Sequence, residues 1–228
     1  MSDRLTLQSE KEKWYPMPIS QLEAHFGIFI KKNEYFTYNE AKPIRKNIAY
    51  NLQYIEFLNQ IIIDIKLTEV LWTQNVKSFV IYGASVVEAI FNFLILSSNQ
   101  GKKINYKTIS SFESNEYILD SKKYKNDITI LEKVDIPINT QMTFDQMAKK
   151  VESKKLLGEN FTNYSRIKPL RQLRNKIHIH DADHSDDTDY YNFNYSEFTL
   201  IKEVLYSLVT ADIFKASPYY SKFEYLNS

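Results

Sequence analysis

The scarcity of glycine and proline constrains the fold of this chain more than any other feature. The 228 residues include 4 Gly and 6 Pro, and these two residue types build most tight turns between short strands. A sandwich, a barrel or a sheet with Gly-rich nucleotide loops needs many more such turns. The composition therefore predicts an all-α fold, and the length suits one domain with a substantial extension.

Charge and cysteine content exclude several classes of function. Lys and Arg total 29 against 28 Asp and Glu, a formal net charge of +1, and there is no Cys. The charge argues against a basic nucleic-acid coat, so a phosphate-binding site has to be local. Without cysteine there is no disulfide framework, thiolate zinc site, iron–sulfur cluster or cysteine nucleophile.

The amino terminus and the most apolar segment bear on localisation. The first 16 residues are charged and polar, whereas a secretory signal has an apolar run after its basic start. Residues 79–96 are long enough to reach a membrane-spanning length but carry Glu88 in their middle. We therefore expect a cytoplasmic protein without a membrane partner, in which 79–96 is a buried core helix.

Apolar spacing predicts five main helices. They cover residues 44–67, 68–96, 143–157, 167–180 and 196–215. Residues 1–43 form an irregular lead-in with room for one short helix. Residues 97–143 are rich in Ser, Asn and Lys and alternate in places like a strand, which predicts a mixed insertion holding a hairpin or a short helix. The predicted organisation is thus a lead-in, 1–43, and a helical domain, 44–228, interrupted by 97–143.

One dense cluster of side chains could carry chemistry. Three of the four histidines, His178, His180 and His184, lie within seven positions and follow a basic segment that contains Arg171 and Arg174. Histidine gains and loses a proton near neutral pH, and arginine holds phosphate oxygens through several donors. These residue types together suit phosphodiester chemistry.

Residues 173–180, Leu-Arg-Asn-Lys-Ile-His-Ile-His, resemble the signature of the HEPN superfamily. In that signature an arginine, usually followed by a polar residue, precedes a histidine near the end of a core helix. Four to six residues lie between the arginine and the histidine. Arg174 followed by Asn175 matches it with His180, five residues lying between Arg174 and His180. Arg171 also fits the signature with His178, because six residues lie between them, although Gln172 then follows the arginine.

The resemblance implies a small helical bundle that forms a homodimer. Many members are metal-independent endoribonucleases of toxin–antitoxin or phage-defence systems, which implies an RNA substrate, an antitoxin or other regulatory protein as partner, and no cofactor or metal. It assigns catalysis to Arg174, Asn175 and His180, with His178 as the competitor. The alternative is a catalytically silent HEPN-like module that binds a partner protein or a nucleotide.

Helix geometry leaves the choice of histidine open. At about 100° per residue, Arg171, Arg174 and His178 share one face, whereas His180 lies about 240° round from Arg174. Either the helix ends before His180 or Arg171 with His178 forms the site. In both cases the resemblance implies that the 2′-hydroxyl of the RNA attacks its own phosphate, with a histidine as general base or acid and Arg174 stabilising the charge.

Glu88 is the only charged residue between Lys77 and Lys102. A functional interpretation pairs it with Arg174 or Arg171, where it would support the site. The other interpretation places it at a helix edge, in water or bonded to a tyrosine hydroxyl. The two are equally compatible with the sequence.

The basic segment, the histidines and the aromatic residues that follow them each have another interpretation. The basic segment can be a solvated helix end that favours the helix dipole. Residues 178–184 resemble the His-x-His-x-Asp-His metal motif of metallo-β-lactamase-like hydrolases, with one residue too many and without the Gly-rich sheet fold around it. The aromatic segment 189–195 could stack on RNA bases, but a loop that anchors its aromatic rings in the core is the favoured interpretation.

Overall fold

The structure is a computed structural model that describes residues 14–27, 36–175 and 188–227. It is 60% helical and 18% strand, with two small antiparallel sheets. The fold is therefore helix-rich but mixed α/β, and the prediction of an all-α fold is wrong. The four strands of the described residues fall inside the predicted insertion, 97–143, for which strand-like alternation predicted a hairpin or a short helix.

The helices follow one another along the described chain as follows: α1 (Ile19–Gly27), α2 (Tyr38–Asp64), α3 (Glu69–Ser97), α4 (Phe144–Ser153), α5 (Ile167–Asn175), α6 (Asp189–Asn192) and α7 (Tyr195–Val209). Short 3₁₀ turns lie at Asn163–Arg166, Asp212–Phe214 and Tyr220–Leu226. Of the described residues, those within 1–100 and 143–228 form one compact unit, called here the helical unit, and residues 101–142 form another, the hairpin unit.

Capping boxes fix where α2, α4 and α7 begin. The Thr37 backbone N–H donates to Glu40 Oε2 at 2.7 Å, and the Glu40 N–H donates back to Thr37 Oγ1 at 3.4 Å. This reciprocal cap starts α2 before residue 44, the predicted start. Thr143 and Gln146 form the same box at α4, which confirms Thr143 as the predicted cap.

Helix α3 lies at the centre of the helical unit and packs against α2, α4, α5 and α7. Phe79, Val87 and Phe91 on it are fully buried. By length and composition α3 could cross a membrane, and 61% of its most apolar window is buried inside the fold. At Gly83 a Cβ atom would lie 2.5 Å from Ile201 Cγ1, so the absence of a side chain permits the close approach of α3 and α7.

Part of the predicted lead-in belongs to the same core. Leu22 and Phe26 of α1 are buried, and α1 packs against α2. The Met17 backbone N–H donates to Glu56 Oε2 at 2.8 Å, and Gln53 Nε2 donates to the Met17 carbonyl at 2.9 Å. The Met17 backbone is thus held to two side chains of α2, just before α1 begins.

The hairpin unit is one long antiparallel pair with a small second pair between its strands. Strand β1 (Lys102–Glu113) pairs with β4 (Asp127–Thr140), and β2 (Tyr117–Leu119) pairs with β3 (Lys122–Tyr124). The register of the long pair shifts after Ile104 and after Thr108, as at β-bulges.

The turn between β2 and β3 explains why the composition argument failed. Asp120 and Ser121 have φ angles of 50° and 60°, so both central residues adopt the left-handed conformation that a two-residue hairpin turn requires. Glycine usually fills such positions, but aspartate also tolerates them because its short side chain bonds to the local backbone. A low glycine count therefore did not exclude this hairpin.

Large apolar side chains of the hairpin unit lie exposed. They are Tyr106, Ile109, Phe112, Tyr117, Ile118, Leu119, Tyr124, Ile128, Ile130, Leu131, Ile136 and Ile138. The buried apolar core of the described residues includes none from 101–142. The hairpin unit is therefore held by strand pairing and not by a core of its own.

Candidate functional site

The described part of the basic motif lies on α5. Ile167 and Leu170 are the buried residues of this helix, and α5 packs against α3. Arg171 and Arg174 each follow one of these buried residues by four positions, so they lie on the same side of α5, toward the helices it packs against. The short amphipathic helix therefore presents both arginines beside its neighbours.

Glu88 of α3 forms an ion pair with Arg174. The distance from Arg174 Nη2 to Glu88 Oε2 is 2.9 Å, and the two side chains are 41% and 25% exposed. This is the contact named in the functional interpretation of Glu88, and it holds one edge of the guanidinium against α3. The role of the pair in catalysis stays a prediction.

Arg171 lies one turn away and has a different partner. Its Nη1 forms an ion pair with Asp145 of α4, and both side chains are exposed. The two arginines of the motif are therefore held by different helices. Only Arg174 pairs with the carboxylate on the central helix.

The remaining motif residues are only partly described. Asn175 is exposed at the last position of α5. His178, His180 and His184 lie outside the described residues, as does the predicted helix beyond residue 175. The choice between His178 and His180 stays as the sequence left it.

The fourth histidine, His25, is buried among aromatic rings. Its Nε2–H donates to the Val209 carbonyl at 2.8 Å, while Nδ1 has no hydrogen-bond partner among the described residues. The rings of Phe26, Phe214 and Phe223 lie 4.7 to 5.1 Å from it, centroid to centroid. Burial lowers the pKa of His25 from 6.5 to about 4, against a smaller opposing effect of the bond to Val209. His25 is thus a neutral structural residue at pH 7.

A cavity of about 540 Å³ lies between α4 and the start of α5. Lys149 and Lys168 line it together with Asp145 and Glu152, so its charges are mixed. Tyr164 also lines it. Burial, and to a smaller extent the nearby Glu152 carboxylate, raises the pKa of Tyr164 to about 12. The cavity borders the element that carries Arg171 and Arg174.

The aromatic segment 189–195 is anchored at only some of its residues. Phe193 is fully buried, but Tyr190, Tyr191 and Tyr195 are exposed. The prediction that this loop anchors its rings in the core is therefore right for Phe193 and wrong for the tyrosines. Asp189 at the start of the segment accepts two hydrogen bonds from Lys77 Nζ of α3, at 2.8 and 3.0 Å.

Sequence reasoning named the arginines but missed two ion pairs. Asp145 as the partner of Arg171 and Lys77 as the partner of Asp189 were not found. The second pair joins residues 112 positions apart, and no local pattern indicates which distant carboxylate a lysine meets. The one available signal was that Lys77 opens a long uncharged run, where an ammonium needs a partner.

Within the described residues, no group of three or more His, Asp or Glu side chains is placed to hold a metal ion. The histidines of the rival metal motif, 178–184, are outside those residues. Comparison of this chain with known protein families, with curated proteins and with solved structures finds no match.

Proposed function

We propose that the protein is a metal-independent endoribonuclease of the HEPN type, with Arg174 as the residue that contacts the reacting phosphate. The observation that carries the proposal is the ion pair between Arg174 and Glu88. A planar guanidinium that a carboxylate holds at one edge presents its remaining N–H donors in a set direction. Such an arrangement suits the binding of phosphate oxygens.

The proposed reaction needs two proton transfers and no metal. The 2′-oxygen of a ribose attacks the neighbouring phosphorus, and a histidine, His180 or His178, accepts the hydroxyl proton. The bond from phosphorus to the 5′-oxygen breaks as that oxygen gains a proton, leaving a 2′,3′-cyclic phosphate and a 5′-hydroxyl. Arg174 stabilises the extra negative charge on the pentavalent phosphate.

In this proposal Glu88 is a positioning residue and not a catalytic one. Both side chains of the pair are partly exposed, so after solvent screening the pair contributes about 0–1 kcal/mol to stability. Its loss should therefore change the orientation of Arg174 more than it changes folding. This separation makes Glu88→Gln a usable probe of orientation.

Basic side chains beside Arg174 support an RNA substrate. Lys168 and Arg171 precede Arg174 at intervals of three along α5, so the three lie within one broad side of the helix. Lys149 and Lys168 also line the neighbouring cavity. Such a local cluster attracts a phosphate backbone even though the whole chain is almost neutral.

A second candidate function is the silent module that binds a partner protein or a nucleotide. The same ion pair favours it in one respect, because Glu88 offsets part of the positive charge on Arg174 and repels an incoming phosphate. The two functions differ in whether RNA is cut, so one assay separates them.

The test is cleavage of a mixed RNA pool by purified protein in EDTA. Wild type is compared with Arg174→Ala, Glu88→Gln, His178→Ala and His180→Ala, each checked for folding. Arg166→Ala is the matched control, because Arg166 also forms an exposed ion pair, with Glu203, before α5 begins.

The proposal expects cleavage by wild type and Arg166→Ala, none by Arg174→Ala, and reduced cleavage by Glu88→Gln. Loss of cleavage in one histidine variant names the general base or acid. If folded wild type cuts no RNA, the silent module becomes the better conclusion. If Arg174→Ala cuts as well as wild type, Arg174 has no part in the reaction.

A further inference from the structure

A second feature of the helical unit is a cavity at the start of α3, called here the aromatic pocket. Its volume is about 420 Å³, within the range of small-molecule sites. Its described lining residues are Leu67, Glu69, Trp72, Thr73, Tyr190, Tyr191 and Asn194. No part of the proposed cleavage mechanism uses them.

The wall formed by α6 is fixed to α3. Asp189 pairs with Lys77 at 2.8 Å and accepts a hydrogen bond from Gln74 Nε2 at 2.9 Å. Phe193 at the other end of α6 is fully buried, with Lys77 Nζ 5.5 Å from its ring centroid. The short helix is therefore anchored at both ends, and the exposed rings between them sit on a fixed support.

The two tyrosines remain exposed although the segment is anchored. Tyr190 and Tyr191 are 56% and 63% exposed. Their ring centroids are 5.4 Å apart, and the rings are inclined by 83°. Two rings at a right angle cannot stack on opposite sides of a flat base, which requires parallel rings. The two rings form a corner, and Trp72 lines the same pocket, which suits a compact, rounded group.

The polar groups of the pocket favour a positive charge. Glu69 supplies a carboxylate, and the described lining includes no Lys or Arg. The Asn194 side chain is already engaged, since its oxygen accepts from the Ser196 N–H at 2.8 Å and its amide donates to the Tyr191 carbonyl at 3.3 Å. An anionic group such as a phosphate would meet a carboxylate without a compensating cation.

From the aromatic corner and the single carboxylate we infer that this pocket binds an alkylated ammonium group, such as a quaternary ammonium ion. The negative faces of aromatic rings attract cations, and Trp is the strongest of them. Methyl groups on the nitrogen fill an apolar corner while the charge is met by Glu69. The inference is independent of RNA cleavage, because it concerns different residues.

The test uses Trp72 as its own reporter. The chain has two Trp residues, so Trp14→Phe leaves Trp72 as the only source of tryptophan emission. Choline chloride is titrated at constant ionic strength, with 3,3-dimethylbutan-1-ol, its neutral isostere, in parallel and with GMP as the competing class of ligand. Tyr191→Ala and Glu69→Gln are tested in the same background.

Choline should change the Trp72 fluorescence in a saturable way. The neutral isostere should bind on the order of tenfold more weakly than choline. Tyr191→Ala and Glu69→Gln should each weaken choline binding several-fold, with unchanged circular dichroism. Tyr195→Ala is the matched control, because Tyr195 is exposed nearby in sequence but does not line the pocket. It should bind choline as wild type does.

Three results with the ligands, and a fourth with the variants, would overturn the inference. They are equal binding of choline and its neutral isostere, tighter binding of GMP than of choline, and a choline titration that never saturates. An equal loss in Tyr195→Ala and Tyr191→Ala would likewise show that the rings act nonspecifically. Since none of these readouts involves RNA cleavage, failure here leaves the proposed function standing, and failure of cleavage leaves this pocket standing.

Discussion

Acid should destabilise the helical unit through His25. The folded pKa of His25 is about 4, against 6.5 for the ordinary side chain, because the imidazole lies among Phe26, Phe214 and Phe223. The unfolded chain therefore binds a proton between these two values and the folded chain does not. Stability from the neutral ring is fully present above the unfolded pKa and is lost as the pH falls to the folded pKa.

The size of the effect follows from the shift. A difference from 6.5 to about 4 corresponds to about 3 kcal/mol of unfolding free energy at 1.36 kcal/mol for each pH unit. Between about pH 7 and about pH 4.5 the loss attributable to this one group is roughly 2 kcal/mol. Below the folded pKa both states hold the proton and the loss stops growing.

The assay is urea unfolding of wild type and His25→Gln across this pH range at constant ionic strength. A glutamine amide can still donate to the Val209 carbonyl but does not titrate, and the carboxylates and other histidines are common to both chains. Wild type should lose roughly 2 kcal/mol more than His25→Gln on acidification. Equal losses would refute the reasoning, as would an NMR titration of wild type in which no histidine has a pKa well below 6.

Two further predictions concern packing and the separateness of the hairpin unit. Gly83→Ala should lower the free energy of unfolding by about 1–2 kcal/mol, because overpacking outweighs the gain in helix propensity. The new Cβ would lie 2.5 Å from the buried Ile201 Cγ1. Denaturant unfolding checks this, and an unchanged or raised midpoint would contradict it. Replacing residues 101–142 by a short Gly-Ser linker should leave the helical circular dichroism and a cooperative melt in place, because the described buried apolar core includes no residue from 101–142; a molten or insoluble product would show that the hairpin unit is needed for the helical fold.

The long helices could be predicted because their determinants are local. Apolar residues at helical spacing predict α3 at 68–96, and the structure has Glu69–Ser97. Thr143 could be named as the cap of α4 because its partner Gln146 lies three residues along the chain. In both cases the residues that decide the element lie within it.

Strand-like alternation predicted a hairpin or a short helix in the insertion, but the low glycine count still favoured an all-α fold, because the turn between β2 and β3 does not use glycine. Asp120 and Ser121 take the left-handed conformation instead, and a count of glycines does not register them. The glycine count therefore predicted an all-α fold for a chain whose hairpin makes it mixed α/β.

The candidate site divides in the same way. The motif around Arg174 is contiguous, so the sequence could name it, and Glu88 could be singled out as a lone charge. Whether Glu88 meets Arg174 or Arg171 depends on the rotation of α5 against α3, which spacing alone does not determine. The aromatic pocket joins Trp72 to Tyr190 and Tyr191 across more than a hundred residues, and no local pattern connects them.

Attack by the 2′-hydroxyl is the central claim about function, and blocking that oxygen tests it most directly. Purified protein is incubated in EDTA with an RNA oligonucleotide that it cuts and with the same oligonucleotide carrying a single 2′-O-methyl group at the cleaved position. The account predicts that the RNA is cut to a 2′,3′-cyclic phosphate and a 5′-hydroxyl, and that the methylated position stays intact. Cleavage of both substrates at that position, or 5′-phosphate ends on the products, would contradict it.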